Sequence, residues 1–222
     1  MDCFQGTNRG RFQMITIGII LLVAFLGLAI LVSSQNPAVR GVDIAVNNIG
    51  LNAQSSVLTP IMLGITSLGD GGNLTIIVIF LLLLLMIAKE WRTAACLSLG
   101  FLFVSWLTVY LKNFFMIARP NMPLASSFGN WGFPSGHTTG ATIVFLILTF
   151  GLARIVKNKP LKLVSISICG LIIFLVGVSR IYLGVHWFSD VVGGWLLAGG
   201  VGMVIVGVSS VFTSFALLSK RT

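Results

Sequence analysis

Long apolar runs make up most of the chain, and short polar stretches punctuate them. The first run covers residues 14–33 and follows Arg9 and Arg11. It exceeds the roughly 7–15 residues of a secretory leader core, and no convincing small-x-small cleavage site follows, so a retained signal anchor is expected. Residues 34–59 are more polar, with Gln35, Asn36, Asp43, Asn47, Asn48 and Gln54. Within them Val42, Ile44, Ala45, Ile49 and Leu51 predict a short amphipathic helix lying on a membrane surface. From Thr59 to Glu90 the chain is apolar except around Asp70, Gly71, Gly72 and Asn73. Two readings fit that interruption: a short helix before the break, or a span that begins near 73 and ends at 88. The second is preferred, with the Gly-Asp-Gly-Gly stretch at the membrane face. Further spans are predicted over 93–111, 137–153, 163–178 and 191–218. Between them lie a loop with Pro120, Pro123 and Pro134, a basic loop with Arg154, Lys157, Lys159 and Lys162, and a short polar connection from Arg180 to Asp190.

A helix that crosses a bilayer needs about 20 mostly apolar residues, and these runs are of that length. Composition agrees. Apolar residues are 56% of the chain and charged ones 9%, and the mean hydropathy is +1.03, whereas a soluble domain is about one quarter charged. The expected fold is all-α, a polytopic membrane protein with six transmembrane helices and both termini cytoplasmic. Residues 1–57 form the anchor helix and surface segment, and residues 58–222 the membrane core. Cys3, Cys96 and Cys169 have no disulfide or metal spacing and read as small apolar packing residues.

The net charge of +9 does not indicate nucleic-acid binding, because the basic residues are scattered between apolar segments instead of forming an arm or stripe. Their distribution reports topology. With the N-terminus inside, ten of the fourteen basic residues fall on the cytoplasmic side: Arg9, Arg11, Lys89, Arg92, Arg154, Lys157, Lys159, Lys162, Lys220 and Arg221. Arg40, Lys112, Arg119 and Arg180 fall outside. Three of these four lie in the two loops that also hold both histidines, where topology does not call for them.

Those loops carry the candidate chemistry. One runs from Lys112 to Arg119-Pro120 and on to Pro134-Ser135-Gly136-His137. The other runs from Ser179-Arg180 to His186 and Asp190. Lys112, Arg119 and Arg180 match phosphate oxygens in charge and donor geometry. Ser135 and Gly136 open a helix at His137, and a helix N-terminus is an anion site. His186 and Asp190 are four apart and share a face if that segment is helical. Asp190 can then fix one imidazole tautomer and leave the other nitrogen free to attack. His137 remains as an acid for the leaving oxygen.

The three strings Lys-x6-Arg-Pro, Pro-Ser-Gly-His and Ser-Arg-x5-His-x3-Asp resemble the signature motifs of the type-2 phosphatidic acid phosphatase superfamily, without a departure and in the family's order, over roughly residues 58–215. The resemblance implies six membrane helices and a metal-independent phosphohistidine mechanism. It implies His186 as nucleophile, Asp190 as its orienting carboxylate and His137 as general acid, with Lys112, Arg119, Ser135, Gly136 and Arg180 binding phosphate. A two-histidine, one-carboxylate metal site from His137, His186 and Asp190 is the competing arrangement, and three nearby cations oppose it. No metal, cofactor, nucleic acid or obligate protein partner is expected. The expected partners are the bilayer and a lipid phosphate: undecaprenyl diphosphate, phosphatidylglycerophosphate or phosphatidate, or alternatively a lipid A phosphate. From another class, an anion transporter or channel with a cationic constriction would use the same cations but would not need the His186–Asp190 pair. Trp131, Trp187 and Phe188 flank the motifs as an interfacial aromatic belt or as the lining of a lipid entrance. The site is expected to face the extracytoplasmic side of the cytoplasmic membrane.

Overall fold

The computed structural model describes residues 8–120 and 131–218, with residue 8 and residues 210–218 described as backbone alone. Cys3, Pro123, Lys220 and Arg221 lie outside the described residues. Eight helices follow one another: α1 (Asn8–Ser33), α2 (Pro37–Asn52), α3 (Leu58–Ser67), α4 (Gly71–Ile87), α5 (Trp91–Phe115), α6 (Gly136–Ile155), α7 (Lys159–Tyr182) and α8 (Phe188–Leu218). Among the described residues there is no strand, and the one β-bridge joins Ala118 to Trp131.

Five helices are individually long and apolar enough to cross a membrane: α1, α5, α6, α7 and α8. A sixth candidate span is a bent pair of helices. Helices α3 and α4 meet at an angle of 54°. The sequence reading preferred a span without a preceding helix, but both readings of the break contribute, because a helix does precede it. The cause is local. The side chain of Asp70 accepts a hydrogen bond from the backbone N–H of Gly72 and caps α4. The turn over 67–70 ends α3 through backbone bonds from Gly69 to Thr66 and from Asp70 to Ser67. A Cβ on Gly69 would lie 3.0 Å from His137 Cβ, so the break sits against the start of α6.

Helix α2 also forms where expected. Asn36 caps it, accepting from Ala38 N and Val39 N, and Pro37 begins it. Its faces are distributed in an informative way. The buried residues are Asp43 and Asn47, while Val42, Ile44 and Ile49 are exposed. The polar side therefore turns inward to the protein, and the apolar side is left for lipid.

The inner helices are α6 and α8. Helix α6 buries residues around its whole circumference, among them Thr138, Ala141, Ile143, Val144, Phe145 and Ile147. Its buried threonines return their hydroxyls to the preceding turn: Thr142 to Thr138 O at 2.6 Å and Thr149 to Phe145 O at 2.8 Å. Such back-bonding satisfies a hydroxyl where water is absent. Helix α1 lies along α8 at very short range, because Gly18 faces Gly200 and Val204, and Gly207 faces Ile15. Small residues permit that approach without a hydrophobic driving force. Exposed leucine, isoleucine, valine and phenylalanine side chains cover the outer faces of α1, α4, α5 and α7. The topology gathers at one end of the bundle the C-termini of α1, α5 and α7, the N-termini of α4, α6 and α8, and the short helices α2 and α3.

Candidate active site

All eight predicted site residues come to that one end. Their positions follow from helix geometry. Lys112 lies in the last turn of α5 and Arg180 in the last turn of α7. Ser135 is the N-cap residue of α6, with Gly136 and His137 in its first turn, and Asp190 lies in the first turn of α8. Arg119 comes from the segment after α5, and His186 from the turn between α7 and α8. Sequence reasoning placed Arg180 in a polar connection. In the structure α7 continues through it to Tyr182, because an arginine buried among protein groups does not end a helix.

The turn that presents His186 is tightly specified. Leu183 N bonds to Ser179 O, and Val185 N bonds to Arg180 O. Gly184 takes φ of 67°, a left-handed conformation that glycine adopts without strain. His186 and Asp190 are almost fully buried, at 1% and 0% exposure. His186 Nδ1 lies 2.9 Å from Asp190 Oδ2, and the same oxygen accepts from Trp187 N at 3.0 Å. His186 Nε2 lies 2.8 Å from Arg119 Nη1. A guanidinium has only donors, so Nε2 is the unprotonated nitrogen and Nδ1 carries the hydrogen toward Asp190. Burial, and then the positive charge of Lys112, Arg119, Arg180 and His137, hold the His186 pKa well below that of an ordinary imidazole.

The cations are fixed by protein groups. Lys112 Nζ donates to Trp131 O at 3.0 Å and to Gly132 O at 2.8 Å. Arg119 Nη1 also donates to Val185 O at 2.9 Å. Arg180 is fully buried, and its Nη1 donates to Thr66 Oγ1 of α3 at 2.8 Å. Ser135 N donates to Asp190 O at 3.0 Å, which ties the start of α6 to the start of α8. The Ser135 hydroxyl makes no capping bond to the first turn of α6, and it accepts instead from Thr138 Oγ1 at 3.0 Å. A Cβ on Gly132 would lie 2.7 Å from Asp190 Oδ2, so only glycine lets that loop close over the carboxylate. His137 Nε2 stands 4.0 Å from Asp70 Oδ2, too long for a hydrogen bond but close enough for charge to be felt. Trp187 is buried, with its ring N–H on Ala118 O at 2.9 Å, and so packs inside the protein. Among the described residues no three histidine, cysteine, aspartate or glutamate side chains gather as a metal-binding group.

A family model described as the PAP2 superfamily matches residues 93–213. The chain belongs to the PAP2 superfamily. A phosphatidylglycerophosphatase B of Bacillus subtilis is 33% identical over 179 residues, covering 80% of this chain and 87% of that protein. An undecaprenyl-diphosphatase of Sulfolobus acidocaldarius is 30% identical over 96 residues, 43% of this chain and 42% of its own. Among solved structures, the crystal structure of a transmembrane PAP2 type phosphatidylglycerolphosphate phosphatase from Bacillus subtilis superposes with a TM-score of 0.77 at 28% identity, covering 86% of this chain and 94% of that one. The structure of Aquifex aeolicus LpxE gives a TM-score of 0.57 at 27% identity, covering 77% and 94%. With its apolar helices, this PAP2 chain is a multi-pass membrane protein.

Besides Thr66, two groups escaped sequence reasoning. Asp43 of α2, 4% exposed, accepts from Ser189 N at 2.7 Å and from Ser189 Oγ at 2.8 Å. It caps the first turn of α8 between His186 and Asp190 from 146 residues away. Burial raises its pKa, opposed by the two bonds from Ser189 and by the charge of Arg40. Tyr182 is the second anchor. Its hydroxyl meets Ser55 N and Thr59 Oγ1, both at 3.0 Å, and its carbonyl accepts from Gln54 Nε2 at 2.7 Å. The segment from α2 to α3 is thus sewn to both sides of the His186 turn.

Proposed function

We propose that this chain is a lipid phosphate phosphatase that transfers the phosphoryl group of its substrate to His186 Nε2 and then to water. The observation that supports this best is the pairing of His186. Nδ1–H is directed to a buried carboxylate, and the lone pair of Nε2 is directed at a phosphate-binding type of side chain, Arg119. Lys112, Arg119 and Arg180 bind the phosphate oxygens together with Ser135, Gly136 and the first-turn N–H groups of α6. These positive groups stabilise charge as it spreads over the equatorial oxygens. Nε2 attacks phosphorus in line with the departing lipid oxygen. Asp190 stabilises the imidazolium that forms, and His137 protonates the leaving oxygen. The negative charge of the arriving phosphate favours the protonated form of His137 that this step requires. His137 then takes a proton from water as the water attacks the phosphohistidine. No step calls for a metal ion. The substrate is a lipid bearing a phosphomonoester or diphosphate, with undecaprenyl diphosphate, phosphatidylglycerophosphate, phosphatidate and lipid A phosphate as the classes to compare. The site opens to the extracytoplasmic side, with the basic opposite end in the cytoplasm.

Purified protein in detergent with excess chelator should release phosphate from at least one of these lipids. His186→Ala should lower that rate by at least about four orders of magnitude. A parent protein without activity on any of them, or a His186→Ala variant as active as the parent, would end this reading. Orientation is tested by a single cysteine in place of Trp131, after removal of the native cysteines. An impermeant thiol reagent should label it on intact cells, and labelling only after lysis would reverse the assignment.

A further inference from the structure

A cavity of about 350 Å³ lies beside the phosphate cradle. The C-terminal end of α1, helix α2, the segment after α5 and the start of α8 form its walls. Its volume is in the range of small-ligand pockets, which start near ~300 Å³. The signature motifs account for one lining side chain, Arg119, which belongs to both spaces: it lines this cavity and its Nη1 touches His186 Nε2. A second guanidinium, Arg40, stands over the ring of Trp187 at 4.0 Å from the centroid. Trp187 directly follows the histidine that carries the chemistry.

The charge in this cavity is not balanced. Its one acidic side chain, Asp43, accepts both bonds from Ser189 and lies within reach of the charge of Arg40, so two arginines against one carboxylate make the lining net positive. The remainder of the lining includes Asn36, which is polar, and Val32, Val39 and Ile117, which are apolar. A ligand suited to these walls carries an anionic oxygen group close to the scissile phosphate and an apolar portion beyond it. We propose that the cavity binds the second phosphate group of a two-phosphate lipid, held between Arg40 and Arg119 while the first sits against His186. This rests on the phosphatase reading and extends it to substrate choice. Two sources share the chemistry. In a lipid diphosphate the second phosphorus is joined through a bridging oxygen. In a phosphatidylglycerophosphate it is the phosphodiester, one glycerol away from the phosphomonoester. Phosphatidate offers a single phosphate and leaves the cavity without an anion.

The test compares the parent, Arg40→Ala and Arg40→Lys on phosphatidylglycerophosphate, a polyprenyl diphosphate and phosphatidate in one detergent. The quantity read is the ratio of kcat/KM for each two-phosphate lipid to that for phosphatidate. In Arg40→Ala at least one ratio should fall about tenfold, the size expected for a lost charged hydrogen bond, and Arg40→Lys should restore part of it. A fall confined to the diphosphate, or confined to the phosphodiester lipid, identifies which source the cavity reads. Unchanged ratios would overturn the proposal. So would a fall that lysine does not restore, since that assigns Arg40 to stacking on Trp187 alone. Failure of the phosphatase reading itself is a separate result, a parent that releases no phosphate from any lipid. Protection against thermal unfolding by inorganic diphosphate then reads the cavity without turnover. Weaker protection in Arg40→Ala supports the second-phosphate site, and equal protection overturns it.

Discussion

The two ends of the bundle use the same residue types for opposite purposes. At the end away from the site, Arg154 meets Glu90 at 3.6 Å with both side chains partly exposed, Thr93 donates to Glu90, and Arg92 donates to Ser209 O of α8. These basic groups lie near the helix ends in reach of water, where a cation is solvated and an ion pair is worth about 0–1 kcal/mol. At the site end Arg180 and Asp190 are fully buried, His186 is almost so, and Lys112 is held by two carbonyls. Placing several like charges together in a poorly hydrated space costs free energy, and hydrogen bonds from the surrounding fold offset part of it. The difference teaches that burial and convergence, more than residue identity, separate the cations proposed to bind phosphate from those at the opposite end.

That contrast can be broken or sharpened by substitution. The largest effect is expected for Asp190→Asn, which removes the partner of His186 Nδ1. On the proposed mechanism the rate of phosphate release should fall by about three to four orders of magnitude, as for other orienting carboxylates. A loss below about tenfold in a steady-state assay would show that Asp190 does not orient the ring. Asp43→Ala should lower kcat by about tenfold through the loosened His186 turn, with about 1–2 kcal/mol of stability lost with the cap. Asp43→Asn should restore part of kcat because its side-chain oxygen still accepts from Ser189, and equal kcat in all three proteins would remove Asp43 from the catalytic support.

A smaller effect concerns pH. The chain has two histidines, so His137→Gln leaves His186 as the one imidazole visible to nitrogen-detected NMR. Its pKa is depressed, so the ring should stay neutral as pH falls from 7.5 to 5.5, where a free imidazole titrates near about 6.5. The sign for stability follows. Below about 6.5 the unfolded chain takes up a proton that the folded chain refuses, so acidification should lower the melting temperature. A normal titration midpoint would contradict the buried, cation-flanked placement. The smallest effect is expected at the opposite end. Glu90→Gln should change phosphate release by less than about twofold and stability by less than about 1 kcal/mol. A large loss of activity there would erase the distinction between the two ends.

The proposed phosphate cradle was legible in the sequence because its charges stand where apolar spans should end and recur at fixed spacings. Lys112, Arg119, Ser135, Gly136, His137, Arg180, His186 and Asp190 needed only the fold to bring three strings to one end. The supports were not legible. Thr66 reaches Arg180 from 114 residues away and Asp43 reaches Ser189 from 146. Each is a single polar residue in a weakly patterned segment, so no periodicity marks it. Helix α2 was legible on one face only. Its apolar positions predicted a membrane-facing helix, but the pattern could not say that the opposite, polar face would hold the start of α8 beside His186. The break between α3 and α4 was visible as Gly-Asp-Gly-Gly. The need for it, a close approach of Gly69 to His137, appears only in three dimensions.

The bond from Arg119 to His186 Nε2 has a further consequence. The lone pair proposed to attack is engaged by a donor that has no electrons to give back. An uncharged electrophile offers that arginine nothing better, so the ring stays masked. On the proposed mechanism a phosphate competes for the same guanidinium and, by drawing it away, exposes the nitrogen that attacks it. The arginine would thus act as a latch whose key is the substrate's own charge.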